Sequence, residues 1–441
     1  MSTNLVEVVK SAGIIGAGGA GFPTHVKINA EVETVIVNGA ECEPLLRVDQ
    51  QLMAMDARQM LTALQAVVDH TKAKEAIVGL KEQYVPAISA LREELKDFPK
   101  IRLHVMKSFY PAGDEQTLVY ETTGKIVPEG GIPLNVGALV INVETLINIY
   151  DMLEDGKPVT DKYLTVTGNV AHRMTTKVPL GITVREALDL AGGPTIKDFV
   201  IINGGPMMGK IVDIDSYITK TTKGLIVLPK DHPLIDSKTM SVETMLRQAR
   251  TACMQCSLCT EVCPRNALGH DLSPHKMMRL AAYGKTCDTT TEATNAFLCC
   301  ECGLCEYACV MGLQPWKLNS MLKQQLGKQG IKNPHHNQPT KADPFKEMKK
   351  FDTHRLIARL GITEFDKPAP FEECKKEFGK VTIQLAQHIG APAQAVVAVG
   401  DEVTKGTLIG EIPEGKLSAR IFASIDGKVE AIENGKITIK A

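Results

Sequence analysis

Eight cysteines stand in two runs of one spacing. Cys253-x2-Cys256-x2-Cys259-x3-Cys263, followed by Pro264, recurs as Cys299-x2-Cys302-x2-Cys305-x3-Cys309, where Val310 takes the place of the proline. Thiolates at every third position let one loop wrap three corners of a cubane, while the more distant fourth points elsewhere. The spacing therefore predicts two 4Fe-4S clusters and one-electron chemistry. Val310 bears on the turn that follows and not on ligation. Structural zinc also uses paired Cys-x2-Cys, but it needs four ligands and none of this triplet regularity, and it is the weaker reading.

Ten of the twelve cysteines fall between Cys253 and Cys309. Such crowding in a long chain suits metal binding in a reducing compartment better than a disulfide framework. The spacing resembles that of two-cluster ferredoxins, in which the fourth cysteine serves the other cluster. That resemblance implies one site of Cys253, Cys256, Cys259 and Cys309 and another of Cys299, Cys302, Cys305 and Cys263. Cys300 is expected to turn its thiol away from the cubane as a packed or replacement thiol, and Cys42, Cys287 and Cys374 to be small buried hydrophobes.

A second candidate is the glycine loop Gly16-Ala17-Gly18-Gly19-Ala20-Gly21. It has the letters of a dinucleotide fingerprint, but that motif needs a strand before the loop and a helix after it. Here Leu5, Val8, Val9 and Ala12 predict a helix before the loop, ended by the glycine run, and Pro23 follows closely. What survives is the physical property of glycine, backbone N-H groups that approach a phosphate with no Cβ between. A tight structural turn is the plain alternative.

The elements that position these residues follow from periodicity. Val35 to Val37, Ala76 to Leu80, Ile101 to Val105 and Ala138 to Ile141 predict strands, and Met53 to His70 one amphipathic helix, giving an α/β layer over residues 1–155. A small α+β module over 160–235 is expected from strands at Leu164 to Val166 and Lys177 to Pro179 and a helix at Thr183 to Ala191, closed by Gly192 and Gly193. The cysteine region, 240–330, is expected to be helical at Pro274 to Tyr283 and Leu318 to Leu326. Residues 331–379, rich in Pro, His, Lys and Glu with one apolar helix near Leu356 to Leu360, read as a connecting arm. Beyond it, 380–441 reads as a compact all-β module with Gly-Asp, Lys-Gly and Asp-Gly turns.

Composition sets the outer limits. The 441 residues are 44% hydrophobic and 23% charged, with a formal net charge of -1, the balance of a globular chain of about three or four domains. No basic face for nucleic acid or anionic lipid shows. Met1 to Lys10 carries no signal-peptide pattern and no run of about 18 apolar residues occurs, so a cytoplasmic protein that does not span a membrane is expected.

The stretch Gly16 to Lys27, reading GAGGAGFPTHVK, resembles the flavin loop of the NADH-oxidising flavoprotein subunit of respiratory complex I. Three more stretches match in the same order: Asn38-Gly-Ala-Glu41-Cys-Glu43-Pro44, Gly113-Asp114-Glu115 and Asn142-Val-Glu144-Thr145. The resemblance implies an FMN site with Gly16, Gly18, Gly19, Gly21 and Lys27 at the phosphate end and Asn38 and Glu41 on the flavin side. It also implies that Gly113, Asp114 and Glu115 line the NADH and flavin pocket, and that Asn142 and Thr145 close it. Ala17 stands where the complex I motif has an arginine, and Ala40 where it has an acidic residue.

Module order extends the resemblance. The RnfC component of the Rnf electron-transport complex shares the flavin domain, the SLBB-type β-grasp module and the dicluster region, but carries a lipoyl-like β-sandwich first. Here stretches similar to that sandwich, Gln387 to Pro392, Val399 to Gly406 and Ala423 to Gly427, come last. No lysine occupies the Asp426-Gly427 turn in the manner of a lipoyl carrier. The order is similar to that of the cobalamin reductase family of propanediol-utilisation bacterial microcompartments, with further matches at Tyr110 to Glu115, Ile202 to Gly209 and Gly269 to His275. This family implies FMN, two 4Fe-4S clusters, NADH as donor and oxidised cobalamin as acceptor. It implies an adenosyltransferase or shell proteins as partners and a place inside a microcompartment. An RnfC-like relay to a ferredoxin or another protein is the alternative. A cobalamin-binding module is weaker, since no Asp-x-His-x-x-Gly stretch occurs.

Overall fold

The computed structural model describes residues 4–283 and 291–441; Cys287 lies outside them. The first layer is a parallel sheet. Strands β1 (Thr34–Gly39), β2 (Glu75–Lys81) and β3 (Ile101–Met106) precede the two-residue β4 (Phe109–Tyr110), and β5 (Ala138–Asn142) follows. The sheet order is β3-β2-β1-β5. Val35 and Val37 face one core, with helices Ala57–His70 and Val143–Asp155, while Ile36 faces the other, with Leu118 and Val119 of helix Glu115–Thr123. Burial on both faces explains why these strands read as continuous apolar runs.

Two helices replace the single one expected over Met53 to His70. Val48–Met55 and Ala57–His70 are separated by Asp56 at φ -117° and ψ 33°. Asp56 competes with helical geometry as short polar side chains do, and the first helix starts early because Val48 and Leu52 are fully buried. Helix Leu5–Ser11 ends at Ala12 and Gly13, the latter left-handed at φ 65°, so Gly13 and not the later glycine run terminates it. Leu5 and Val9 pack it onto the domain.

The second sheet contains β6 (Asp161–Gly168), β7 (Met174–Pro179), β8 (Phe199–Asn203), β9 (Lys210–Val212) and β10 (Gly224–Pro229) in the order β7-β6-β10-β8-β9. Its helix Val184–Leu190 opens with a capping box between Thr183 and Glu186. In the cysteine region, helices Val242–Ala252, Pro274–Ala282 and Pro315–Lys328 bury Met245, Met277, Leu318 and Leu322 together.

The segment read from composition as a connecting arm is packed instead. Strand β11 (Phe351–Asp352) pairs with β4, and helix Thr353–Arg359 buries Leu356 and Ile357. Phe351, Leu356 and Phe365 share one core with Tyr110 of the first domain, Ile202 of the second and Leu304 of the cysteine region. The helix around Leu356 is legible in the sequence, but Phe351 and Phe365 stand singly among charged residues, which hides them from a periodicity reading.

The C-terminal module is all β: β12 (Lys380–Gln384), β13 (Gln394–Ala395), β14 (Glu402–Val403), β15 (Leu408–Glu411), β16 (Ile421–Phe422), β17 (Gly427–Glu433) and β18 (Lys436–Lys440). They form sheets β12-β18-β17-β14 and β13-β15-β16. Among the described residues no helix is long and apolar enough to cross a membrane.

Candidate active site

Strand order in the first sheet reverses between β1 and β5, and ligands in open α/β sheets bind beyond the carboxyl ends of the strands at such a point. Asn38 and Asn142 are the last register pair across it. The glycine loop folds over this crevice. Ile15 bridges Pro23, the Gly16 N-H donates to the Phe22 carbonyl at 2.9 Å, and Gly18, Gly19 and Ala20 are exposed. Gly19 has φ 85°, and a Cβ there would meet nothing within 4 Å among the described residues. Bare backbone thus faces open space beside the start of helix Val143–Asp155, which Asn142 caps, as an anionic phosphate group requires.

A buried polar network supports the crevice. The Asn142 amide donates to Asp49 at 3.0 Å, and the other Asp49 oxygen takes the Lys223 ammonium at 2.5 Å. The Asp49 N-H donates to Glu41 at 3.2 Å. Burial, then the neighbouring Asp49 carboxylate, pushes Glu41 up to about 7. Burial alone would pull Lys223 down, yet Asp49, Glu41 and Glu144 raise it. Thr145 accepts from the Ala17 N-H at 3.0 Å, and Lys162 joins Glu144, 2.5 Å away, to the Ala17 carbonyl. Asn38 donates to the Gly113 carbonyl at 2.8 Å. A Cβ on Gly113 would lie 2.6 Å from the Ala40 oxygen and 2.8 Å from the Cys42 sulfur, so the approach needs glycine. Cys42 is hydrogen-bonded and not merely apolar filling: its sulfur accepts from the Gly113 N-H at 2.6 Å. Cys374 is partly exposed.

Not every residue named by the resemblance faces this crevice. Lys27 pairs with Glu115 at 2.8 Å at its exposed edge. Asp114 caps helix Glu115–Thr123 and turns its carboxylate to Arg265, which grips both oxygens at 2.5 and 2.9 Å. Although burial works the other way, Arg265 holds the Asp114 carboxyl below the usual carboxylate range. Arg265 was invisible as a functional residue, since in sequence it is one basic residue on a short helix. Glu43 accepts from the Met207 and Met208 N-H groups at 2.9 and 2.8 Å, tying the first domain to the second.

The cysteines gather in two groups that mix the runs. Cys253, Cys256, Cys259 and Cys309 line one open-sided cavity of about 370 Å³. Cys263, Cys299, Cys302 and Cys305 line another of about 300 Å³. Both loops wrap alike: the residues flanking the middle cysteine, Gln255 and Ser257 in one and Glu301 and Gly303 in the other, are all left-handed, with φ between 56° and 79°. Non-glycine residues pay for that conformation, and here it curls backbone N-H groups around a central anion. Asn319, fully buried, lines the second cavity, and apart from the Cys299 thiol its amide has no hydrogen-bond partner among the described residues. It lies against the Cys299 thiol, where a cluster sulfide would satisfy it. Cys300 also lines this cavity, partly buried and in hydrogen-bond contact with the Cys302 thiol. Burial pushes the Cys259 and Cys263 thiols up to about 12, so cluster insertion must release their protons.

The groups differ in setting. Cys256 is exposed, whereas Cys263, Cys302 and Cys305 are buried. The Tyr110 hydroxyl donates to the Cys302 carbonyl at 2.7 Å, and Arg265 stands two residues beyond Cys263, so the first domain contacts the second group directly.

Comparison with known proteins matches this architecture piece by piece. Residues 9–151 match the Nuo51 FMN-binding domain, 163–210 the SLBB domain, 252–314 a 4Fe-4S dicluster domain and 367–441 the RnfC barrel sandwich hybrid domain. The C component of the Na(+)-translocating ferredoxin:NAD(+) oxidoreductase complex of Acetobacterium woodii is 31% identical over 58% of this chain and 57% of its own. Cobalamin reductase PduS of Citrobacter freundii is 43% identical, and that of Salmonella typhimurium 46%, each over 98% of this chain and 95% of the relative. With that identity carried along nearly its whole length, the chain belongs to the cobalamin reductase PduS family.

Proposed function

We propose that this chain is an NADH-dependent cobalamin reductase, which takes hydride at the first domain and delivers single electrons at the cysteine region to oxidised cobalamin. The observation that carries this reading is the Asp114–Arg265 pair, which fastens the segment that Asn38 holds through the Gly113 carbonyl to the residue two beyond Cys263. A two-electron site and a one-electron site are thereby held in one rigid contact. Bound FMN accepts an electron pair and releases electrons singly, and each 4Fe-4S cluster carries one; the protein binds, orders and shields these groups.

Each residue then has a task. Gly18 and Gly19 offer backbone N-H groups to the FMN phosphate, while Lys27 stays paired with Glu115 at the crevice edge. Asn38, Glu41, Asn142 and Thr145 shape the flavin side, the last two by fixing the glycine loop. Glu115 stands at the edge where NADH enters. The outer cysteine group is Cys253, Cys256, Cys259 and Cys309, and the inner one Cys263, Cys299, Cys302 and Cys305. By family resemblance the reaction serves propanediol utilisation within a cytoplasmic microcompartment, with shell proteins as neighbours and an adenosyltransferase receiving the reduced cobalamin.

Anaerobic reconstitution tests the reading. The holoprotein should hold one FMN and about eight iron atoms per chain. NADH should bleach the flavin band and raise the electron paramagnetic resonance of reduced clusters. Flavin absorbance unchanged by NADH would remove the proposed donor.

A further inference from the structure

The mouth of the outer cavity differs from the rest of the cysteine region in its chemistry. Exposed Met254, Val310 and Met311 line it at 61%, 59% and 46% exposure, together with exposed Cys256. Among the described residues no Asp, Glu, Lys or Arg lines this cavity. Arg279 reaches its edge, bonding the Gln255 amide oxygen at 3.3 Å. The inner cavity, by contrast, lies against the first domain through Tyr110 and Arg265.

We infer that this rim is the docking face for the electron acceptor and that its occupant is the corrin ring of cobalamin, lying flat over Met254, Val310 and Met311. The inference rests on the cobalamin reductase reading and assigns its acceptor site. Contiguous exposed apolar side chains mark an interaction surface. Redox proteins that meet as transient partners are steered by complementary charge, of which this rim has only Arg279 at its edge, whereas a corrin ring presents a broad apolar face fringed by neutral amides. Methionines adapt their shape to such a surface and are polarisable. Docking here brings cobalt over the outermost cysteine group. Each visit passes one electron, Co(III) becoming Co(II) as its upper axial water departs. Two visits use the pair that one NADH supplies, leaving NAD+ and a proton.

The test uses anaerobic holoenzyme and hydroxocobalamin. Met254→Glu and Val310→Glu should each weaken hydroxocobalamin binding in equilibrium dialysis, and raise its KM, about tenfold, with iron content and the cluster resonance unchanged. Met311→Glu serves as a further variant should either of these lose iron. Val396→Glu, on an exposed position of the C-terminal module, should bind as the parent does. Hydroxocobalamin should also slow iron loss to a chelator in the parent. Rim variants with full iron that bind hydroxocobalamin like the parent would overturn the assignment, and would do so in favour of a protein acceptor if only a partner's docking is weakened. A parent that does not reduce hydroxocobalamin with NADH at all sinks the underlying reading instead, and the assignment with it.

Discussion

Arg265 grips the Asp114 carboxylate through two bonds of 2.5 and 2.9 Å, with only 9% and 13% of the two side chains exposed. The fork geometry suits arginine and not lysine. Removing one partner strands a buried charge, which costs about 3–5 kcal/mol, whereas removing both does not. Arg265→Met and Asp114→Asn should therefore each lower the urea midpoint sharply, and the double variant should recover part of the loss. Strictly additive losses would show that the pair does not hold the two regions together.

The mixed grouping of the cysteine runs has a direct consequence. Cys309 lines the same cavity as Cys253, Cys256 and Cys259 although it belongs to the other run. Cys309→Ala should disturb the cluster of the first run and leave the second run's cluster resonance intact, with Cys263→Ala doing the reverse. Cys300→Ala should retain both. If Cys309→Ala instead abolishes the signal assigned through Cys299→Ala, each run holds its own cluster.

Glu41 supplies a pH signature. Its folded pKa, about 7 through burial and then Asp49, exceeds the unfolded value of about 4.3. Between these the native state binds the extra proton, so the stability this proton lends is present below about pH 4.3 and is lost as pH rises through 7. Glu41→Gln mimics the protonated side chain and should flatten that decline, gaining on the parent at pH 8 relative to pH 5. Parallel profiles from thermal melts across that range would contradict the assignment.

Asn319 is fully buried against the inner group, and apart from the Cys299 thiol its amide has no partner among the described residues. Hydrogen bonds to cluster sulfur set reduction potential and favour the reduced, more negative state. Asn319→Leu should shift one of two midpoints downward in a potentiometric titration followed by electron paramagnetic resonance. Two unmoved midpoints would leave Asn319 a packing residue.

Local patterns carried far in the sequence. The strands of the first domain, the capped helix after Thr183 and the turns of the C-terminal module follow from periodicity and turn chemistry within a few residues. The ordered motifs around Gly16, Asn38, Gly113 and Asn142 lie side by side, although Asp114 turns to Arg265 and Lys27 pairs with Glu115. What stayed hidden depends on pairs far apart in the chain. Asp49 and Lys223, or Asp114 and Arg265, are ordinary charged residues until folding buries them together. The packing of the segment after Gly330 was hidden for a related reason: Phe351, Leu356 and Phe365 find their partners on three other modules. No window of sequence displays those partners.

The most direct test of the whole account is to add NADH to anaerobic holoprotein with excess hydroxocobalamin and follow the corrin spectrum. The account predicts two cob(II)alamin formed per NADH, with no other protein present. A bleached flavin and reduced clusters beside a corrin that stays Co(III) until a protein partner is supplied would contradict it, and would make the chain a relay.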